Sequence, residues 1–104
     1  MQSSPSVPVF SALGQTTRLR AFNLLLEAGE DGMLQNEIAR GLSVEKNLLS
    51  VHLRILEAAG LVASERSGRT KRFRVATEPA HMAARELLGA IEAKKDPKGA
   101  AGEP

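Results

Sequence analysis

The chain has 104 residues, a formal net charge of +2 and no cysteine. That length holds one small domain with one core, and the missing cysteines exclude disulfides, thiolate metal sites, thiol nucleophiles and cysteine redox chemistry. The charge is unevenly spread: Glu27, Glu30, Asp31 and Glu37 lie early, whereas Arg66, Arg69, Lys71, Arg72 and Arg74 crowd the stretch SERSGRTKRFRV at 64–75.

In chain order, residues 1–7 are rich in Ser and Pro and are expected to form a disordered tail before a single domain at 8–95. Val9, Phe10 and Leu13 suggest a short apolar helix ending at Gly14. In TTRLRAFNLLLEAG, Thr16 or Thr17 can cap a helix, Leu19, Phe22, Leu25 and Leu26 recur at helical spacing, and Gly29 suits the stop. Leu34 to Arg40 reads as a short helix with Leu34, Ile38 and Ala39 on one side and Gly41 after it. Ser43 then caps a longer helix, VEKNLLSVHLRILEAA, closed by Gly60.

From Leu61 the period changes to two. Lys71, Phe73 and Val75 fall on one face and Thr70, Arg72 and Arg74 on the other, so 61–75 is expected to be a β-hairpin with Ser67-Gly68 as its turn. Thr77 to about Lys95 returns to helix with an apolar stripe of Ala80, Ala84, Leu87, Leu88 and Ile91, and 96–104 is expected to be a second disordered tail. The fold class is therefore mainly α with a β-hairpin wing, about five helices and two antiparallel strands. The apolar runs are too short to span a bilayer and the first residues do not resemble a secretory signal, so a cytoplasmic protein is expected.

Two helices joined by Gly41-Leu42-Ser43 form a helix-turn-helix candidate, whose second helix can enter the DNA major groove. On a helical wheel Leu48, Leu49, His52, Leu53, Leu56 and Ala59 span one broad side, and Lys46, Asn47, Ser50, Arg54 and Glu57 gather on the other with Val51 at the border. Lys46, Asn47, Ser50 and Val51 offer donors, an amide that can pair with a base edge, and methyl groups suited to thymine. On an isolated helix these residues read better as a solvated face, since most amphipathic helices expose a polar side. A cationic hairpin directly after the helix makes the combination more specific: helix, turn, helix and basic wing is the order of a winged helix-turn-helix.

The segments ALGQTTRLRAFNLLL, NEIARGL, LLSVHLRILEAAGLV and SGRTKRFRV, in that order and spacing, resemble the ArsR/SmtB family of bacterial winged-helix repressors over roughly residues 10–92. Ser50-Val51-His52-Leu53 followed by Ala59-Gly60-Leu61-Val62 carries most of the likeness, with Thr17-Arg18-Leu19 as a second marker. The resemblance implies a homodimer formed by the first and last helices that binds an inverted-repeat operator in double-stranded DNA and is released by an inducer, which the sequence does not identify. It places DNA reading on Lys46, Asn47, Ser50 and Val51, to which the wheel adds Arg54, and wing contacts on Arg66, Arg69, Lys71 and Arg72; the apolar stripes of the first and last helices put the expected dimer interface on Phe10, Leu13, Ala84, Leu87, Leu88 and Ile91.

The chain departs from the family at its sensing sites. The cysteines that many members carry in the third helix would fall at Leu34 and Asn36, and the tail KKDPKGAAGEP has none. Where others use an Asp-x-His pair in the last helix for zinc, Pro79 precedes His81 by two. Glu78, His81 and Glu92 fall short of the three or four well-placed N or S donors that zinc takes, so no metal and no cofactor are expected. His52 reads as a packing and hydrogen-bonding residue behind the recognition face.

Three other function classes fit these residues less well. A winged helix docking an acidic protein would more often present a large apolar anchor on the helix, where only Val51 is expected. An enzyme is not expected, because two dispersed histidines, no Gly-rich phosphate loop and no evident carboxylate pair leave no catalytic constellation. A membrane-surface role for the wing needs more apolar surface than Phe73 and Val75 supply.

Overall fold

The computed structural model describes residues 5–95. Five helices and a small sheet follow one another as α1 (Ser6–Leu13), α2 (Thr16–Ala28), a 3-10 turn (Gly29–Asp31), β1 (Met33–Leu34), α3 (Gln35–Leu42), α4 (Lys46–Ala58), β2 (Val62–Ser67), β3 (Thr70–Val75) and α5 (Glu78–Lys95). The expected tails at 1–7 and 96–104 lie outside the described residues except for 5–7, of which Ser6 and Val7 open α1.

The helices form where the apolar periodicity places them, but their ends are set by other residues than expected. Gln15, not a threonine, caps α2: its backbone is extended and its side-chain Oε1 accepts from the Arg18 N–H at 2.9 Å. The α3–α4 connection also differs. Gly41 lies inside α3, whose chain reverses at Ser43 in the left-handed region (φ 57°). The Val44 N–H reaches back to the Ala39 carbonyl at 3.0 Å, which satisfies a helix-end carbonyl. Ser43 therefore ends one helix rather than starting the next, and Glu45 caps α4 by accepting from the Leu48 N–H at 3.1 Å. Gly41 instead serves the α2–α3 contact, where a Cβ would stand 3.2 Å from Leu24 Cδ2.

At the end of α4, Gly60 takes φ 79° and the Leu61 N–H bonds back to the Leu56 carbonyl at 2.9 Å, turning the chain straight into β2. The hairpin is paired from Val62↔Val75 to Ser67↔Thr70, so its two-residue turn is Gly68-Arg69, one position later than expected. Gly68 has φ 66° and Arg69 does not, the pattern of a II′ turn with glycine first, which suits the twist of the strands. A third strand not foreseen from the sequence, β1, adds to the far side of β3 through Met33↔Phe73 and Leu34↔Arg72, giving the order β1-β3-β2.

One core joins these layers. Leu25 of α2, Ile38 of α3, Leu49, Leu53 and Leu56 of α4, and Leu61 are fully buried, with Phe22 and Phe73 packed among them. Each such side chain stabilises the fold by roughly 1.5–3 kcal/mol through its removal from water. The apolar stripes are narrower than the sequence suggests: Leu19 and Leu26 on α2 and Leu48 on α4 are exposed, and Ile55, outside the expected stripe, is exposed as well. On α5, Ala83 is buried against α1 and Ala80 is half-buried, whereas Ala84, Leu87, Leu88 and Ile91 are left uncovered. No helix among the described residues is long and apolar enough to cross a membrane.

Candidate nucleic-acid interface

Helix α4 and the wing enclose a cleft of about 360 Å³. Its floor is apolar, from Leu53 and Phe73, and its walls are polar: Gln35, Lys46, Ser50, Arg54 and Glu57 on the helical side, Arg66, Arg69, Thr70 and Lys71 on the wing. Strand alternation explains the selection. Arg66 and Lys71 are cross-strand partners, and Lys71 shares its face with Phe73, whose buried ring fixes that face toward α4. Arg69 stands at the turn, exposed, because the hairpin closes at Ser67↔Thr70.

Of the residues singled out from the sequence, the structure thus brings together Lys46, Ser50 and Arg54 with Arg66, Arg69 and Lys71. Asn47 and Val51 are exposed on α4 beside the cleft rather than in its lining. Arg72 is placed elsewhere. It faces the opposite side of β3, where its Nη1 donates to the Asp31 carbonyl at 3.0 Å. Arg74 on the same face donates to the Glu30 carbonyl at 3.2 Å and pairs with Glu65 at 3.5 Å. These two arginines tie the wing to the 3-10 turn, and neither lines the cleft.

Three sets of contacts at the site are not foreseen from the sequence. Gln35, the first residue of α3, reaches across to Ser50 with Nε2 3.1 Å from Oγ. Among the described residues Glu57 is the one carboxylate in the lining, and it accepts from the Ser64 hydroxyl at 2.9 Å, which joins α4 to β2. Behind the helix, Arg18 donates from Nε to the Ala12 carbonyl at 2.7 Å and approaches His52 Nδ1 with Nη1 at 3.3 Å, linking α1, α2 and α4. Burial, and then the positive charge of Arg18, push the His52 pKa below its ordinary value. The ring accepts from the guanidinium only when Nδ1 carries no proton, so the neutral ring fits this place. The sequence carries the hint of a pair in Thr17-Arg18-Leu19 and Ser50-Val51-His52, but not the contact itself.

A second surface lies on the other side of the molecule. Val9, Phe10 and Leu13 of α1 and Ala84, Leu87, Leu88 and Ile91 of α5 line an almost wholly apolar groove. Phe10, Leu87, Leu88 and Ile91 are 43–54% exposed there, so the described residues leave the stripe uncovered. The Ser6 hydroxyl donates to the Glu86 carboxylate and helps hold α1 on α5. His81 is exposed on the first turns of α5, and among the described residues no group of three or more His, Asp or Glu is gathered as a metal site.

The model of the family described as "Helix-turn-helix domain" matches residues 13–65, half of the chain. The ArsR-like transcriptional regulator from Rhodococcus sp. RHA1 has the same fold at a TM-score of 0.74, with 32% identity over 93% of this chain and 88% of that one. This chain belongs to the ArsR/SmtB family of helix-turn-helix regulators. Within that family it is 34% identical over 91 residues to the HTH-type transcriptional repressor SmtB of Mycobacterium tuberculosis, a match that covers 84% of this chain and 65% of the relative. The chain thus spans less than two thirds of the length of that curated relative. A homodimeric winged helix-turn-helix DNA-binding domain from Mycobacterium bovis is similar at a TM-score of 0.67 and 26% identity, covering 88% of this chain and 82% of the other. This ArsR/SmtB member has the family's α-helical frame and wing, and it has no cysteine with which to bind a metal or arsenic.

Proposed function

We propose that this chain is a transcriptional repressor that binds an inverted-repeat operator as a homodimer, without catalysis and without a thiolate metal sensor. The observation that carries the reading is the cleft itself, where α4 sets Lys46, Ser50 and Arg54 opposite Arg66, Arg69 and Lys71. With α4 in the major groove, Lys46, Asn47, Ser50, Val51 and Arg54 meet base edges and flanking phosphates, and Arg66, Arg69 and Lys71 follow the backbone toward the minor groove. The five cations of the cleft give a steep salt dependence through counterion release.

The dimer follows from the second surface. Covering the groove of Phe10, Leu13, Ala84, Leu87, Leu88 and Ile91 with the same groove of a second copy gives a two-fold arrangement. Two recognition helices related by that axis suit an operator with inverted symmetry. The homodimeric Mycobacterium bovis domain supports the dimer, and the SmtB relative, a transcriptional repressor, supports the repressor reading. The place of action is the cytoplasm, where the operator is.

A second reading, a winged helix that docks an acidic protein, draws on the exposure of Leu48 and Ile55 on α4 as well as Val51. It is the weaker one, because the cleft beside the helix is walled by cations and amide and hydroxyl groups rather than by apolar anchors. Selection from a pool of random-sequence duplexes separates the two. A regulator enriches a palindromic motif, and a protein-docking module enriches none.

A further inference from the structure

We infer that Gln35 is a specificity-determining positioning residue, which acts by fixing the hydrogen-bond polarity of Ser50 on the recognition helix. The inference rests on the DNA-binding reading and deepens it.

A serine hydroxyl carries one donor hydrogen and two acceptor lone pairs, so alone it reads donors and acceptors on base edges alike. Of the other polar cleft residues of α4, Lys46 and Arg54 are donors by their own chemistry, and Glu57 is an acceptor already engaged by the Ser64 hydroxyl. Ser50 is the group whose role its neighbour decides. Gln35 Nε2 lies 3.1 Å from Ser50 Oγ and donates to it. That bond occupies one lone pair and leaves the hydroxyl hydrogen disengaged. Ser50 then offers an O–H, and the bases it favours are those whose major-groove polar edge is all acceptor, guanine through O6 and N7 or thymine through O4, over adenine, which shows a donor beside its N7, and cytosine, which shows a donor alone.

Gln35 is well placed to hold such a preference. It follows β1 directly, and Leu34 is paired with Arg72 in the sheet. The Leu34 N–H also donates to Glu37 Oε1 at 2.9 Å, which pins the first turn of α3 to the strand before it. The amide therefore comes from a backbone held on two sides, and both partners of the bond are part-buried in the wall of the cleft. A supporting group on a rigid element orients a reading group more tightly than one on a loop.

The test compares the full-length wild type with Ser50→Ala, Gln35→Met and Gln35→Glu, all checked for folding by thermal melting, in selections from duplexes randomised over two half-sites. The wild type is expected to enrich a motif, and Ser50→Ala to lose preference at one position of each half-site. At that same position Gln35→Met is expected to reduce the preference for guanine or thymine roughly two- to tenfold, the range of a single net hydrogen bond. Gln35→Glu supplies an acceptor, draws the Ser50 O–H onto itself and leaves only lone pairs for the DNA. The preference at that position is expected to move toward cytosine and adenine, whose N4 and N6 amino groups donate. If both Gln35 variants enrich the wild-type motif, or change it elsewhere than Ser50→Ala does, the inference is overturned while the DNA-binding reading stands. If the wild type enriches no motif, both fall together.

Discussion

Lys71 and Arg72 are neighbours in the chain and stand on opposite faces of the wing. Lys71 lines the cleft with Phe73, and Arg72 donates to the Asp31 carbonyl behind the sheet. The two cations therefore carry different tasks. Lys71→Ala is expected to weaken binding to all duplexes and to lower the slope of log K against log salt by about 1, the signature of one lost phosphate contact. Arg72→Ala is expected to leave that slope unchanged and to loosen the 3-10 turn, seen as faster amide exchange at residues 30–34. Equal slope losses in the two variants would refute the assignment.

Gly32 is where the sheet meets that turn. Its φ is 66°, and a Cβ there would stand 2.3 Å from the Phe73 carbonyl oxygen and 3.1 Å from the carbonyl carbon. Gly32→Ala is expected to cost about 2–4 kcal/mol in chemical unfolding, from backbone strain together with overpacking. Gly68→Ala, with the same sign of φ but open space around it, is expected to cost less. The reverse order would contradict the packing described.

Arg18 joins three helices through Ala12 and His52. The folded state lowers the His52 pKa, so between that value and the ordinary value near 6.5 the unfolded chain binds more protons than the folded one. The contribution to stability is present above the ordinary pKa and is lost as pH falls through the window below it. Denaturant midpoints are expected to drop between pH 7.5 and pH 5.5 by more in the wild type than in His52→Gln. Arg18→Lys, which cannot serve both acceptors with a planar fork, is expected to destabilise by roughly 1.5–3 kcal/mol.

The uncovered stripe of α5 makes a separate demand. Leu88 is 54% exposed and Leu87 50% beside Phe10 on α1. Leu88→Glu is expected to convert a dimer to a monomer in light scattering at micromolar concentration, because it places a charge where roughly 1.5–3 kcal/mol per copy of apolar burial is otherwise gained. A wild type that is monomeric at such concentrations would count against this surface as the interface.

Much of this architecture is legible in the residue pattern. Period-two alternation reveals the wing, and the 3.6 period reveals the helices. The ends of α2, α3 and α4 are less legible, because a cap is chosen by reach and geometry: Gln15 displaces the more usual Thr16, and Ser43 adopts a left-handed turn that a glycine would suit better. The two-residue strand Met33–Leu34 is too short to show alternation. Alternation separates Lys71 from Arg72, but only the burial of Phe73 decides which face meets α4. The Gln35–Ser50 and Arg18–His52 contacts join segments distant in the chain, and no local pattern records them.

The central claim is sequence-specific binding by the cleft and its two-fold copy. Its most direct test is fluorescence anisotropy over a salt series, with the duplex upstream of the chain's own gene and a scrambled duplex of equal length and composition. Preference for the natural duplex by a factor of about a thousand or more at moderate salt, with a slope that falls when Arg66, Arg69 or Lys71 is changed to alanine, is the expected result. Equal affinity for the two duplexes at every salt concentration would contradict the account.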